Sequence, residues 1–535
     1  MTRFGGALAL SAFLACIPAC ISGYAQTATP GPAANASQSP GAAPSPANPT
    51  APEAAAPSGE KKHMTPAEAK ELMRSVDEIL KFASDDTGLP IRKSVKRRLI
   101  TRDEVNKYVI EKFNEDEDAK RMQRSEIVLK KFGMLDRDFQ LRPFLTSLLT
   151  EQIAGYYDDK TKTVNLLDWI DADSQKPVLA HELTHALQDQ RVDLEKWGNK
   201  SDASIARNAA EDNQHLATDE TDTARDAVLE GQAMAVFVDY ALKPTGKTLL
   251  TAPDLAENLK DNMEDSSDSP VMARAPLLLQ QSLLFPYREG LSFEQALLKD
   301  SGKSGAFGAP LDRPPSTSYE ILNPAAYERG QKVPLLSLPD VHDLLRADYD
   351  PYDVGVIGEL DVRMLVELFA GTQASEAVTP QWDGGIYYAA QKKEARTPEQ
   401  KNSTASLSLF YLSRWKTEAA ANKFAAIYAD EMAKKYSGVS RDQKAETSQD
   451  EQVYKTNEGP VLIAISGRQV FTSESFDMAT ARKLELLVLN AQPGENMQSA
   501  AVYARFGMGT QSQGLTAGMA HWLAGCGLMK AALPR

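Results

Sequence analysis

Residues 178–190 of this chain read VLAHELTHALQDQ, and within them His181, Glu182 and His185 set two imidazoles beside a carboxylate. Leu179, Leu183 and Leu187 recur at every fourth position, the seam of a helix, and Pro177 ahead of them suits a first helical turn. On a helix, residues four apart differ by about 40° in projection, so both histidines point from one face, a turn apart. Two imidazoles and a neighbouring carboxylate suit Zn2+. Water bound to that ion has a pKa near ~7 and can yield a proton to a glutamate beside it. The bland alternative is a pair of histidines capping an apolar helix face. With six histidines in the whole chain, two in one such motif make chance a weak competitor.

A hydrolytic zinc site takes a third protein donor. A third histidine six positions on is absent, since position 191 is Arg191, and position 188 holds Gln188 rather than glycine. His215 lies in a polar, acidic stretch that favours solvation. Glu230 is the best candidate: it stands among Ala224, Ala227, Gly231, Ala233 and Ala235, small residues that let its helix approach the histidine helix. Glu211, Asp226 and Glu220 come next, and a surface carboxylate on an Ala-rich helix is the structural alternative.

His181-Glu182-x-x-His185 with the downstream Glu230-Gly231-x-Ala233 resembles the gluzincin branch of the zincin metallopeptidases. The motif matches cover roughly residues 150–240, and the chain otherwise looks like secreted bacterial HExxH proteins. The resemblance implies that His181, His185 and Glu230 hold zinc, that Glu182 is general base and proton shuttle, and that a peptide or protein is the substrate. The 45 positions from His185 to Glu230 are more than in thermolysin-type members, which leaves the subfamily open. The hairpin read at Gly155–Leu167 resembles the zincin edge strand, along which an extended substrate aligns by strand addition.

The expected activity is therefore that of an exported zinc-dependent metallopeptidase. Two rivals stand beside it: a zinc amidase acting on cell-wall peptides, and a zincin-fold envelope protein that binds peptides or keeps zinc structurally. A peptidase also needs a donor for the developing oxyanion. The turn-rich stretch 314–327 offers Tyr319 and Tyr327, with His342 as an outsider, although a connection that merely wraps the domain is at least as good a reading.

These groups need elements to hold them. Thr65, Pro66 and Glu68 open a charged helix toward Phe82, and helical periodicity runs through Ser94–Phe113 and Lys120–Phe132. Ile153–Tyr157 and Thr163–Leu167 flank a turn at 158–162 and read as a hairpin. Helices resume at Pro177 and run with interruptions to Leu298, Ser301–Ser316 is a loop, and Val354–Phe369 and Ala419–Lys435 are helices. Short strands follow at 453–456, 460–466 and 468–472. Gln381–Tyr387 reads as a tight turn beside aromatics, and Trp415 as preceding a helix.

The expected fold is α+β and mostly helical: a zincin-like domain at 65–349, a smaller α+β accessory domain at 350–497 and a tail at 498–535. A net charge of −14 argues against a nucleic-acid partner. No interior apolar run is long enough to span a membrane. At the N-terminus, Arg3, an apolar Ala7–Ile21 and Gly23–Tyr24–Ala25 fit a signal peptide of residues 1–25, so an exported, periplasmic or extracellular protein is expected. Cys16 and Cys20 invite a lipid anchor, but Phe13 and Pro18 spoil both sites, making it the lesser expectation. Residues 26–64, rich in Pro and Ala, form a tether. The tail, with Cys526, carries no acidic residue after Glu495 and reads as a docking helix or a frayed end.

Overall fold

A computed structural model describes residues 64–492 except 116, 154, 198–207, 254–268, 332 and 334. The expected signal peptide, the tether up to residue 63 and the 498–535 tail, with Cys16, Cys20 and Cys526, lie outside the described residues.

The fold is α+β with two sheets. Its first half runs α1 (Pro66–Thr87), β1 (Lys96–Ile100), α2 (Arg102–Glu115), α3 (Glu117–Phe132), α4 (Leu141–Gln152), β2 (Gly155–Asp158), β3 (Thr163–Leu167), α5 (Ala172–Val192), α6 (Leu194–Trp197), α7 (Ala209–Leu216) and α8 (Thr221–Leu242). The helix α9 (Leu277–Lys303) follows. The first sheet has the order β1-β3-β2, with β1 parallel to β3 and β2 antiparallel to it. The second sheet is antiparallel throughout and comprises β4 (Tyr349–Val356), β5 (Trp382–Lys392), β6 (Leu407–Trp415), β7 (Ser440–Arg441), β8 (Glu451–Thr456), β9 (Gly459–Ser466) and β10 (Gln469–Glu474). Its order is β4-β5-β6-β10-β9-β8-β7.

The expected capping box at Thr65 and Glu68 opens α1: the Thr65 hydroxyl accepts from the Glu68 amide, and the Glu68 carboxylate accepts from the Thr65 amide. The hairpin of β2 and β3 also forms as read. Buried Gln175 then clips it to the histidine helix, accepting from the Leu167 amide at 2.9 Å and donating to the Leu167 carbonyl at 2.9 Å.

Several local readings are corrected. Lys96–Ile100 is a strand, not helix; its backbone pairs with β3, and only Ile100 at its end is fully buried. The histidine helix begins at Ala172, capped by Asp171, so Pro177 lies inside it rather than in its first turn. Ser301–Ser316 is not a plain loop: α9 kinks at Gly302, a π-turn spans Ser304–Gly308, and a short helix covers Ala309–Asp312. Val354 belongs to β4, and the helix starts only at Glu359 and runs to Ala370. Trp382–Lys392 and Leu407–Trp415 are full strands, buried on both sheet faces. Alternation, the usual mark of a strand, is erased when both faces are covered.

A continuous apolar core joins the two halves of the molecule. Phe132 at the end of α3 meets Tyr387 of β5 and Tyr411 of β6 edge-on, at centroid distances of 5.6 and 5.9 Å.

Candidate metal centre

The helix α5 carries His181, Glu182 and His185, and α8 carries Glu230; all four side chains are buried, at 0–1% exposure. The two imidazoles lie one turn apart with centroids 4.7 Å from each other. Glu230 Oε2 is 3.0 Å from His181 Nε2 and 3.6 Å from His185 Nε2. Taking one donor atom from each residue, the three lie within 4.8 Å of one another, so the group can hold a metal ion.

The histidine helix and the Glu230 helix do pack against each other, and Gly231 serves a further contact. Gly231 makes its closest approach to α9 rather than to the histidine helix: a Cβ there would stand 2.2 Å from the Gly290 carbonyl oxygen. Glu230, the preceding residue, reaches His181 and His185 on α5.

The protonation chemistry suits a metal. Burial, and then the neighbouring His185, hold the His181 imidazole well below its usual range. Burial also lowers His185, against the pull of Glu182 and Gln188 in the other direction. Both rings are neutral near pH 7, the ligand form. His185 Nε2 and His181 Nδ1 are buried without a hydrogen-bond partner. A buried polar atom left unsatisfied costs about 1–3 kcal/mol, and a cation seated between His185 and Glu230 removes that cost. Two nitrogens and one carboxylate oxygen form a donor set that could hold a metal ion.

Glu182 points to the first sheet. Its Oε2 accepts from the Tyr157 amide of β2 at 2.9 Å, and β2 is one of the two edge strands of that sheet. A backbone donor favours the ionised carboxylate and fixes its direction.

The other residues expected from the sequence are placed elsewhere. His215 faces Asp219 at 3.4 Å, Glu211 accepts from the Asn208 side chain, and Glu220 accepts from Ser318. Asp226 is buried and acts electrostatically on Arg225. Tyr319 lies against Trp382, Tyr327 donates to the Arg313 carbonyl, and His342 is held by Asp340. A tyrosine beside the histidines is Tyr287 of α9, with its ring centroid 6.5 Å from that of His181. Sequence reasoning missed it, and it missed Tyr157, whose contribution is a backbone group that no residue type announces. No family model, curated protein or solved structure matches the chain.

Proposed function

We propose that this chain is an exported zinc-dependent metallopeptidase of the zincin type, hydrolysing peptide bonds of a peptide or protein substrate. The observation that carries the reading is the convergence of His181, His185 and Glu230 on one buried point, with Glu182 pinned beside His185. A zinc ion bound there would supply Lewis acidity toward a peptide carbonyl and lower the pKa of water.

This chain's own residues do the rest. His181, His185 and Glu230 present the donors. Glu182, held in place by the Tyr157 amide, takes the proton from the attacking water and delivers it to the leaving amine. A peptide would lie along the edge strand β2. Because the Tyr157 amide is committed to Glu182, the substrate would be held by other groups of that edge.

The test is zinc content of the purified chain, with His181→Ala and Glu230→Ala beside it. About one zinc per chain is expected, sharply weakened in both variants. No zinc in the parent after refilling at neutral pH would overturn the reading. Casein turnover against peptidoglycan turnover then separates the peptidase from a cell-wall amidase, and neither turnover points to a binding protein.

A further inference from the structure

We infer that Gln188 and Gln232 form a relay that sets the tautomer of His185, making Nε2 the nitrogen it offers to a metal. The tautomer follows from hydrogen-bond direction alone; its use in zinc binding rests on the reading above.

The direction is fixed at two backbone carbonyls, which can only accept. Gln232 Nε2 donates to the Ala306 carbonyl in the π-turn at 2.9 Å. That turns Gln232 Oε1 toward Gln188, whose Nε2 donates to it at 2.9 Å. Gln188 Nε2 also donates to the Leu229 carbonyl at 3.1 Å, a second and independent anchor. Gln188 Oε1 is therefore the atom that faces His185 Nδ1, at 2.8 Å. An amide oxygen has no proton to give, so Nδ1 carries the hydrogen. In the neutral ring the lone pair then sits on Nε2, on the side of Glu230. Gln188, Gln232, His185 and Ala306 are all at 0% exposure, so solvent does not compete for these bonds. Gln188 and Gln232 are positioning residues: they act on a metal only through His185. The relay also ties the centre to the kinked segment after α9, far from it in sequence.

The experiment reads the tautomer and zinc affinity separately. Nitrogen-15 shifts of labelled histidines in the metal-free parent should show His185 with its hydrogen on Nδ1. Gln188→Met should release that preference and weaken zinc binding, measured by chelator competition, by roughly 10- to 100-fold. Gln232→Met should shift both in the same direction by less. Gln188→Glu removes both amide donations but keeps an accepting oxygen, so it should retain the tautomer and bind zinc within about one tenfold step of the parent. A purely packing role predicts the reverse, with Met, close to Gln in shape, tolerated and Glu the more damaging change. A parent with the hydrogen on Nε2, or a folded Gln188→Met with unchanged tautomer and affinity, overturns the inference. If Gln188→Met does not fold, the parent's tautomer and Gln232→Met decide. Should the parent bind no zinc, the metallopeptidase reading fails, while the nitrogen shifts still judge the relay.

Discussion

Glu182 and the two histidines beside it follow from helical spacing, which is why the sequence displays them: residues four apart on a helix meet whatever the rest of the chain does. Glu230 was readable by its company of small residues, of which Gly231 also serves a contact with α9. The relay glutamines were legible only in half, since Gln188 sits three positions after His185 but Gln232 enters from a different helix. At this scale the decisive change is Glu182→Gln. The amide oxygen can still accept from the Tyr157 backbone, so the geometry and the zinc content should stay as in the parent. A glutamine cannot take a proton from water, and the turnover rate should fall by roughly 10²- to 10⁴-fold. Undiminished peptide hydrolysis by a zinc-loaded Gln variant would remove Glu182 from the mechanism.

Between helices, a close backbone contact next to Glu230 is the crossing of α8 and α9. Gly231 and Gly290 face each other backbone to backbone; a Cβ at Gly290 would stand 2.3 Å from the Ala227 carbonyl oxygen. Both obstacles are main chain, so no side chain can swing away. Gly231→Ala should therefore push the helices apart at a cost of about 1–3 kcal/mol or more, read as a lower thermal unfolding midpoint. Because Glu230 precedes it, zinc affinity should fall in the same variant. Ala233→Gly, a change on the same helix that adds no atom, should cost roughly 1 kcal/mol by helix propensity and leave zinc affinity in place. Equal effects of the two would mean that the crossing does not set the position of Glu230. The strands tell a complementary story. β2, β3, β8, β9 and β10 were visible as runs beside turns, whereas β5 and β6 were hidden, because burial on both faces removes the alternation that marks a strand.

Across the whole molecule, the two halves meet through buried charge as well as apolar core. Fully buried Lys131 of α3 donates to Glu458 at 2.8 Å, Ser475 Oγ at 2.6 Å and the Thr404 carbonyl at 3.2 Å in the second half. Nearer the metal centre, Glu220 at the start of α8 accepts from the Ser318 amide, and Asp219 accepts from the Val356 amide of β4 at 2.6 Å. None of this was legible in the sequence, since partners from 98 to 344 positions apart leave no periodic mark. The carboxylates at this seam give it a pH dependence. Burial pushes Glu220 up to about 7, against the Ser318 bonds and with help from Asp219 and Glu359. Burial also raises Glu359 to about 7, opposed by Lys416, the Asn323 side chain and Arg363 and aided by Glu289; Asp361 is driven well up by burial and by Glu220. A carboxyl whose pKa is higher folded than unfolded binds more protons in the native state. Its contribution is therefore fully present below the unfolded value near ~4.5 and is lost as pH rises through the folded value. For Glu220 the loss is on the order of 3 kcal/mol between pH 4.5 and 7. Glu220→Gln keeps an accepting oxygen for Ser318 and has no proton to lose. Urea unfolding at pH 5 and pH 8 should show the parent losing this increment relative to the variant, so that the variant gains on the parent as pH rises. Parallel pH profiles for the two proteins would show that Glu220 ionises as freely in the folded seam as in the open chain.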